Sequence, residues 1–434
     1  MSCWRWFLMT VVGVLTQAAY ADDYFTATAA RGKIVAPSYF GVHFHRLVPR
    51  PSDKAVRTEW PPLSFGTVRI WDSRASWLDV APSPGQWNFN VLDTYVNEAE
   101  VHHATVMYTL GLTPRWASAR PEEWCPYGRG CSAESVRIGH WEEYVRRVAQ
   151  RYGKRISAYE LWNEPKFSDI PRDRGMPSFY SGSLPQMVEM ARVARKVLDE
   201  VSPEAQLCTP GFVNGPDRLD MFLAAGGKQY VQAVCYHFYA GSAGHFARQI
   251  LEVQAIMKRH GVEKLPLWNT ETGVDTLAKG DPPSGIAAAT PEAAMARLSQ
   301  MLILGAAAGL ERFDYYAWDN TRSGMVSPDG SQLPGYAAMQ RLHSWLIGAR
   351  MTACREAEGG VNCDALKGQD RFLLVWADKV KARSIAAPRG WRIASIEPLF
   401  GEPVTDSVAS RPDAMPISVG PVPLRLMLAR ADRP

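Results

Sequence analysis

Three things are missing from this chain of 434 residues, and each absence removes a class of function. Lys and Arg are scattered and the formal net charge is only +4, without the clustered basic stripe that nucleic acid requires. No His-Glu-x-x-His run and no Cys-x-x-Cys pair occurs, and His102-His103 opens a polar loop in place of a ligand cluster, so no metal site is expected. The Gly-rich run from Pro126 to Cys131 is not followed by Gly-Lys-Ser/Thr; it reads as a tight loop, not a phosphate cradle, and no cofactor is implied. Long polar tracts are absent too. At 46% hydrophobic and 21% charged, the chain has enough apolar material for a large core with one smaller domain.

No apolar run is long enough to span a membrane. That from Trp6 to Leu15, behind Arg5, is too short, and Ala19-Tyr20-Ala21 before Asp22 reads as a small-x-small cleavage site. Residues 1–21 are therefore expected to be a signal peptide that sends the protein to the periplasm or the exterior. Its removal takes Cys3 and leaves six of the seven cysteines for an oxidising compartment. Cys125 with Cys131 and Cys354 with Cys363 close short loops and are predicted disulfides, whereas Cys208 and Cys235, on adjacent strands, are expected to stay reduced. No Asn-x-Ser/Thr acceptor occurs, in keeping with a bacterial exported protein.

What is present is a regular alternation. Apolar strand-like runs cover 40–44, 67–71, 104–111, 156–162, 205–209, 233–239, 265–269 and 312–318, and helical patterns lie between them. In one, Trp141, Tyr144, Val145, Val148 and Tyr152 fall at helical spacing; another opens at Pro185 behind a Ser183 cap. Eight strand and helix units predict parallel strands closed into an α/β (β/α)₈ barrel, with the active face at the strand C-terminal ends.

Two of those ends carry a glutamate. Glu164 follows Leu161-Trp162-Asn163, and Glu271 follows Trp268-Asn269-Thr270. A pair of partly buried carboxylates suits the hydrolysis of a glycosidic bond: one delivers a proton to the leaving oxygen while the other stays ionised and attacks the sugar carbon. Fifteen Trp residues fit as well, because pyranose rings present apolar faces to aromatic platforms.

At these positions the sequence resembles the clan A glycoside hydrolases, which carry the acid/base Glu in an Asn-Glu-Pro-like motif on strand four and the nucleophile at the end of strand seven. It looks most like family 39 and the exopolysaccharide-degrading enzymes placed with it. Phe40-Gly41-Val42-His43-Phe44-His45, Val68-Arg69-Ile70-Trp71-Asp72 with Trp77, Pro84-Gly85-Gln86-Trp87, Cys235-Tyr236-His237-Phe238-Tyr239 and Tyr315-Tyr316-Ala317-Trp318-Asp319 carry that likeness. The resemblance implies Glu164 as acid/base, Glu271 as nucleophile, Asn163 on the sugar 2-hydroxyl, Arg69 beside the nucleophile, Tyr239 or else His237 donating to Glu271, and Trp318 as the sugar's aromatic floor. His43 and His45 are expected substrate contacts. Trp116, with Trp124 and Phe179, would extend the aromatic track along the long segments after strands three, four and seven.

Beyond Leu346 short β-like runs among Gly and Pro replace the helical period. The expected organisation is a signal peptide at 1–21, a catalytic barrel at 22–348 and a β-sandwich at 349–434, with 22–35 adding an edge strand to the sandwich. The whole reading is an exported, monomeric, retaining glycoside hydrolase, endo-acting on an exopolysaccharide, with a polysaccharide or oligosaccharide as its partner. An exo-acting β-xylosidase or α-L-iduronidase type, a non-catalytic polysaccharide-binding barrel and a transglycosylase are the rivals.

Overall fold

The structure, a computed structural model, describes residues 33–50, 54–274, 290–404 and 416–431. The expected signal peptide, most of the 22–35 segment and most of the segment after the seventh strand lie outside these residues. Each of the eight expected strands forms: β1 Phe40–Val42, β2 Thr67–Ile70, β3 Thr105–Thr109, β4 Ile156–Glu160, β5 Gln206–Cys208, β6 Val234–His237, β7 Leu267–Thr272 and β8 Arg312–Tyr315. All neighbours pair in parallel, and a two-residue strand, Phe212–Val213, adds to β6. A parallel bridge between Cys208 and Ala233 joins β5 to the approach to β6 and closes the ring.

Period two decides what fills that ring. Met107, Ala158, Cys235 and Trp268 pack together in its lower interior. Two residues further along the same strands stand Thr109, Glu160, His237 and Thr270, all buried. The barrel is thus apolar below and polar above.

Cys208 and Cys235 are bonded, contrary to the expectation that they stay reduced. The reason is geometric: they sit where the ring is held by one bridge, with Cα atoms 5.8 Å apart, inside the range a disulfide spans. Cys125–Cys131 and Cys354–Cys363 pair as expected.

The helices follow their sequence signals. Trp141, Tyr144, Val145, Val148 and Tyr152 are the buried stripe of Ile138–Tyr152, and Ser183 caps Leu184–Val201 through a reciprocal pair with Gln186. The helix Ala243–Arg259 starts where Ser242 accepts from the His245 N–H. A short helix, Asp217–Ala224, lies between β5 and β6.

Behind the helix Gly335–Leu346 comes an antiparallel sheet in the order Arg350–Ala357, Gly360–Lys367, Asp370–Ala377, Leu424–Arg430, Trp391–Pro398, with a two-stranded ribbon of Lys381–Ser384 and Pro416–Val419. Along Asp370–Ala377 alternate residues serve opposite faces. Phe372, Leu374 and Trp376 join the barrel's apolar core, while Leu373, Val375 and Ala377 pack with Ile417 and Val419 of the ribbon. Ile34 forms an antiparallel bridge with Arg350, so the described end of the 22–35 segment lies against this sheet.

Candidate active site

Arg69, on β2, is fully buried and reaches across the ring. Its Nε donates to Glu160 Oε2 at 2.9 Å, its Nη1 to Glu271 Oε2 at 2.9 Å and its Nη2 to Asn163 Oδ1 at 2.7 Å. One guanidinium therefore ties β4 to β7. Burial opposes the charge, but Glu160 and Glu271 outweigh it and raise the pKa, so Arg69 is a permanent cation.

Glu160 is the carboxylate the sequence reading missed. It stands inside the barrel with Thr109 Oγ1 at 2.8 Å and Thr270 Oγ1 at 2.7 Å, both donating to it. Burial would push it up, yet Arg69, His237 and Thr270 hold it down at about 2. A signal was available: a carboxylate ending an otherwise buried strand must have a partner.

Glu271, at the end of β7, is 6% exposed and accepts from Arg69 and from Tyr239 Oη at 2.8 Å. Burial lifts its pKa above the ordinary carboxylate range against the pull of His237 and Arg69, and the like charge of Glu164 adds to the rise. Tyr239 is thus the donor to Glu271. His237 instead places Nδ1 2.9 Å from Glu164 Oε1, with Glu271 Oε2 4.0 Å away.

His237 is fully buried. Burial alone would lower its pKa, but Glu271, Glu160 and Glu164 surround it and push it up to about 9 despite the nearby Arg69. Glu164, Glu271 and His237 each offer an atom within 4.8 Å of the others, a spacing that would also suit a cation. At neutral pH the imidazolium has no lone pair to give one.

Glu164 is half-buried with φ at 41°, in the left-handed region. Seven non-glycine residues among those described have positive φ; Glu164 is one, and three others, Asp72, Arg74 and Leu112, line one cavity. Strain of this kind gathers where side chains must be aimed at a ligand. Asn163, 1% exposed, has its carbonyl oxygen held by Arg69, which leaves the amide N–H₂ as the group it can offer a sugar hydroxyl.

Three expected contacts are not part of this cluster. Trp318 is 1% exposed, with its ring against Phe65 and Tyr336 at 5.5 and 5.3 Å, so it has no free face for a sugar. Tyr316, two residues before it, is the ring that borders the open cavity. His43 is fully buried, its Nε2 on the Thr270 carbonyl at 3.1 Å, and works as part of the barrel interior. Trp116 turns its Nε1 to the Ala81 carbonyl at 2.8 Å and packs on His140, away from the carboxylates. His45 does line the cavity. Of the other expected track residues, Trp124 is 67% exposed and Phe179 packs on Trp71.

The cavity holds about 660 Å³. Its aromatic wall is Trp71, Tyr127 and Tyr316, and the hydroxyls of Tyr127 and Tyr316 both donate to Asp72. The Cys125–Cys131 loop presents Tyr127, whose ring meets Trp71 edge-on at 5.6 Å.

No family model matches the sequence. No curated protein matches it either. Solved structures do match by shape. A family 39 glycoside hydrolase from Bacteroides cellulosilyticus superposes with a TM-score of 0.68 at 15% identity, over 92% of this chain and 82% of that one. A monomeric β-xylosidase from Caulobacter crescentus gives 0.62 at 14% identity, over 96% and 99%. A GH30 endoxylanase from Clostridium papyrosolvens gives 0.55 at 11% identity, over 84% and 89%. At such identities the likeness is one of fold, and this chain shares the architecture of these three structures.

Proposed function

We propose that the protein is a retaining glycoside hydrolase that works by double displacement. The observation that carries this reading is the opposition of Glu164 and Glu271 across the barrel mouth, one oxygen of each within 4.8 Å of the other. Retaining enzymes hold their carboxyl groups about 5 to 5.5 Å apart, and inverting ones leave roughly 6.5 to 9.5 Å for a water. Glu271, aligned by Arg69 and Tyr239, attacks the anomeric carbon. Glu164, held by His237 through Oε1, protonates the departing oxygen and then takes a proton from the water that releases the sugar.

The finer reading is an endo-acting enzyme on an extracellular polysaccharide. A cavity beside the reacting pair, large enough for further sugar, supports endo action over a closed pocket for one terminal ring. Three disulfides support an oxidising compartment and hence export. The chain divides at 348/349 into a catalytic barrel and a small β-sandwich, and it acts as a monomer, since one chain supplies every group of the site.

The test is kinetic. Glu271→Gln should lower turnover by roughly 10⁴-fold or more. Glu164→Gln should retain activity on aryl glycosides with good leaving groups, and azide should restore rate to Glu164→Ala but not to Glu271→Ala, giving a glycosyl azide. An inverted product, or full activity without Glu271, rules the mechanism out. Release of single sugars only, from polymers and nitrophenyl glycosides alike, would rule out the endo reading alone.

A further inference from the structure

The 660 Å³ cavity reaches the polar layer of the barrel, because Thr109, whose hydroxyl donates to Glu160, is among its lining residues. Its walls come from residues on or after β8, β1, β2 and β3. Glu164 follows β4 and protonates the departing oxygen, so the part of the substrate that stays on Glu271 extends toward these walls. The volume falls within the roughly 300–1,000 Å³ of sites that enclose a small ligand.

The charges of the wall cancel. Arg46 has Asp319 at 3.8 Å, Arg74 and Arg50 both act on Asp79 through space, and Arg50 is partnered besides. No excess of either sign is left to draw an ion, so recognition here falls to hydrogen bonds. Asp72 stands out among the groups that could make them. It is half-buried on the cavity wall, with φ at 58° in the left-handed region. Its Oδ1 accepts from the Tyr127 hydroxyl and its Oδ2 from that of Tyr316, which together fix the orientation of the carboxyl group. Burial pushes its pKa up, while Tyr316, His45 and Arg69 pull it down. A carboxylate presents about four lone-pair sites, so each oxygen keeps room for one more donor. On the same wall His45 adds a ring whose Nε2 is buried without a partner among the described residues.

We infer that Asp72 is the specificity residue of this cavity, accepting from two adjacent hydroxyls of a neutral sugar on the retained side of the cut bond. The paired oxygens of a carboxylate suit two neighbouring donors on one ring, and hydrogen bonds to an ionised acceptor are roughly twice as strong as neutral ones. An uncharged hexose or pentose with both hydroxyls free meets this demand. A uronic acid gains nothing from its charge, since the wall has no unmatched cation. The side assigned to the sugar rests on the glycoside hydrolase reading; the demand for two adjacent hydroxyls does not.

The test reads binding by calorimetry on Glu164→Gln protein, with linear tetrasaccharides of glucose, mannose, galactose or xylose, and with tetragalacturonate as the anionic comparison. At least one neutral tetrasaccharide should bind, and tetragalacturonate no more tightly. In deoxy derivatives of that tetrasaccharide, loss of either of two adjacent hydroxyls on one ring should weaken binding roughly tenfold. Asp72→Asn, made in the same protein, should weaken the parent tetrasaccharide at least as much and leave the derivative lacking both hydroxyls nearly unaffected. A residue that only clasps the two tyrosines would weaken every ligand alike. Thermal melting confirms that Asp72→Asn folds, and the deoxy series on Glu164→Gln protein stands without that variant. No binding of any neutral tetrasaccharide, tighter binding of tetragalacturonate, no adjacent pair of critical hydroxyls, or an equal loss for all ligands in Asp72→Asn overturns the proposal. Cleavage by the unmodified protein is scored separately, so a tetrasaccharide and its polymer that are bound but never cut would fail the hydrolase reading and leave the role of Asp72 standing.

Discussion

At the scale of the residue, the site is a contest between burial and charge. His237 shows it best, because burial alone would strip its proton and three carboxylates keep it there. Below pH 6.5 imidazole is protonated in the folded and unfolded chain alike, and its pairing contributes fully. Above that the unfolded chain gives up the proton while the folded one holds it, until pH passes about 9. Stability should thus decline between pH 6.5 and 9 by up to roughly 3 kcal/mol. Melts across pH 6 to 10 check this: His237→Asn should flatten the decline, and an equally steep decline without His237 would place its origin elsewhere. Glu271 sets the opposite limb. Its raised pKa means that it must lose a proton to act, so kcat/KM should fall on the acid side at a pH above the ordinary 4.5.

Legibility at this scale followed local sequence. Glu164, Glu271, Arg69, Asn163 and Tyr239 stand beside apolar runs that mark strand ends, and the structure brings them together. Glu160 was overlooked because it sits in the same stretch as Glu164 and only strand period separates inward from outward. Tyr316 and Trp318 differ by two residues and would share a face in a strand, but β8 ends at Tyr315 and the chain bends before either is reached. Glu160→Gln tests its weight. Removing one partner of a buried ion pair costs about 3–5 kcal/mol, so the variant should melt well below the parent; an unchanged melting temperature would mean that Glu271 and Asn163 suffice to hold Arg69.

At the scale of the element, the β5 to β6 corner carries most of the closure. Besides the bridge and the disulfide, Gly211 lies in contact with the site. A Cβ there would fall 2.4 Å from His237 Nε2 and 2.7 Å from Glu160 Oε1, while the Gly211 carbonyl accepts from the Glu164 N–H at 2.9 Å. Gly211→Ala should therefore disturb Glu160, His237 and Glu164 together and cut activity sharply while far-ultraviolet circular dichroism stays the same. Full activity would show that the strand can shift to make room. The Cys208–Cys235 bond closes a separation of 27 residues, worth about 3–4 kcal/mol by loop entropy. The double Ser variant should lose that much, and denatured, unreduced protein should yield no free thiol from either cysteine. Neither bond nor glycine was legible as a closure device, because the sequence shows which strands neighbour each other but not how weakly a given pair is bridged.

At the scale of the whole molecule, the antiparallel sheet is not a separate appendage. Phe372, Leu374 and Trp376 are buried in the same apolar cluster as Trp345 and Leu346 of the last barrel helix. The guanidinium of Arg425 lies 5.5 Å from the Trp345 ring and 5.5 Å from the Phe372 ring, and pairs with Glu397, which accepts from Trp345 Nε1 at 3.3 Å. Polar ties reinforce this: Lys367 Nζ to the Ser344 carbonyl at 2.7 Å, and Gln300 Nε2 to the Pro421 carbonyl at 2.6 Å. The change of period after Leu346 made the second architecture legible, but alternation along a strand cannot reveal that one of its faces completes another domain's core. A shared core implies shared unfolding. Calorimetry should give one cooperative transition for barrel and sheet, and Phe372→Ala, by emptying a fully buried ring, should lower that single transition by about 3–5 kcal/mol. Two resolved transitions, with only the smaller one displaced by the substitution, would instead mean that the barrel holds its fold without the sheet and that the interface is a contact between independent units.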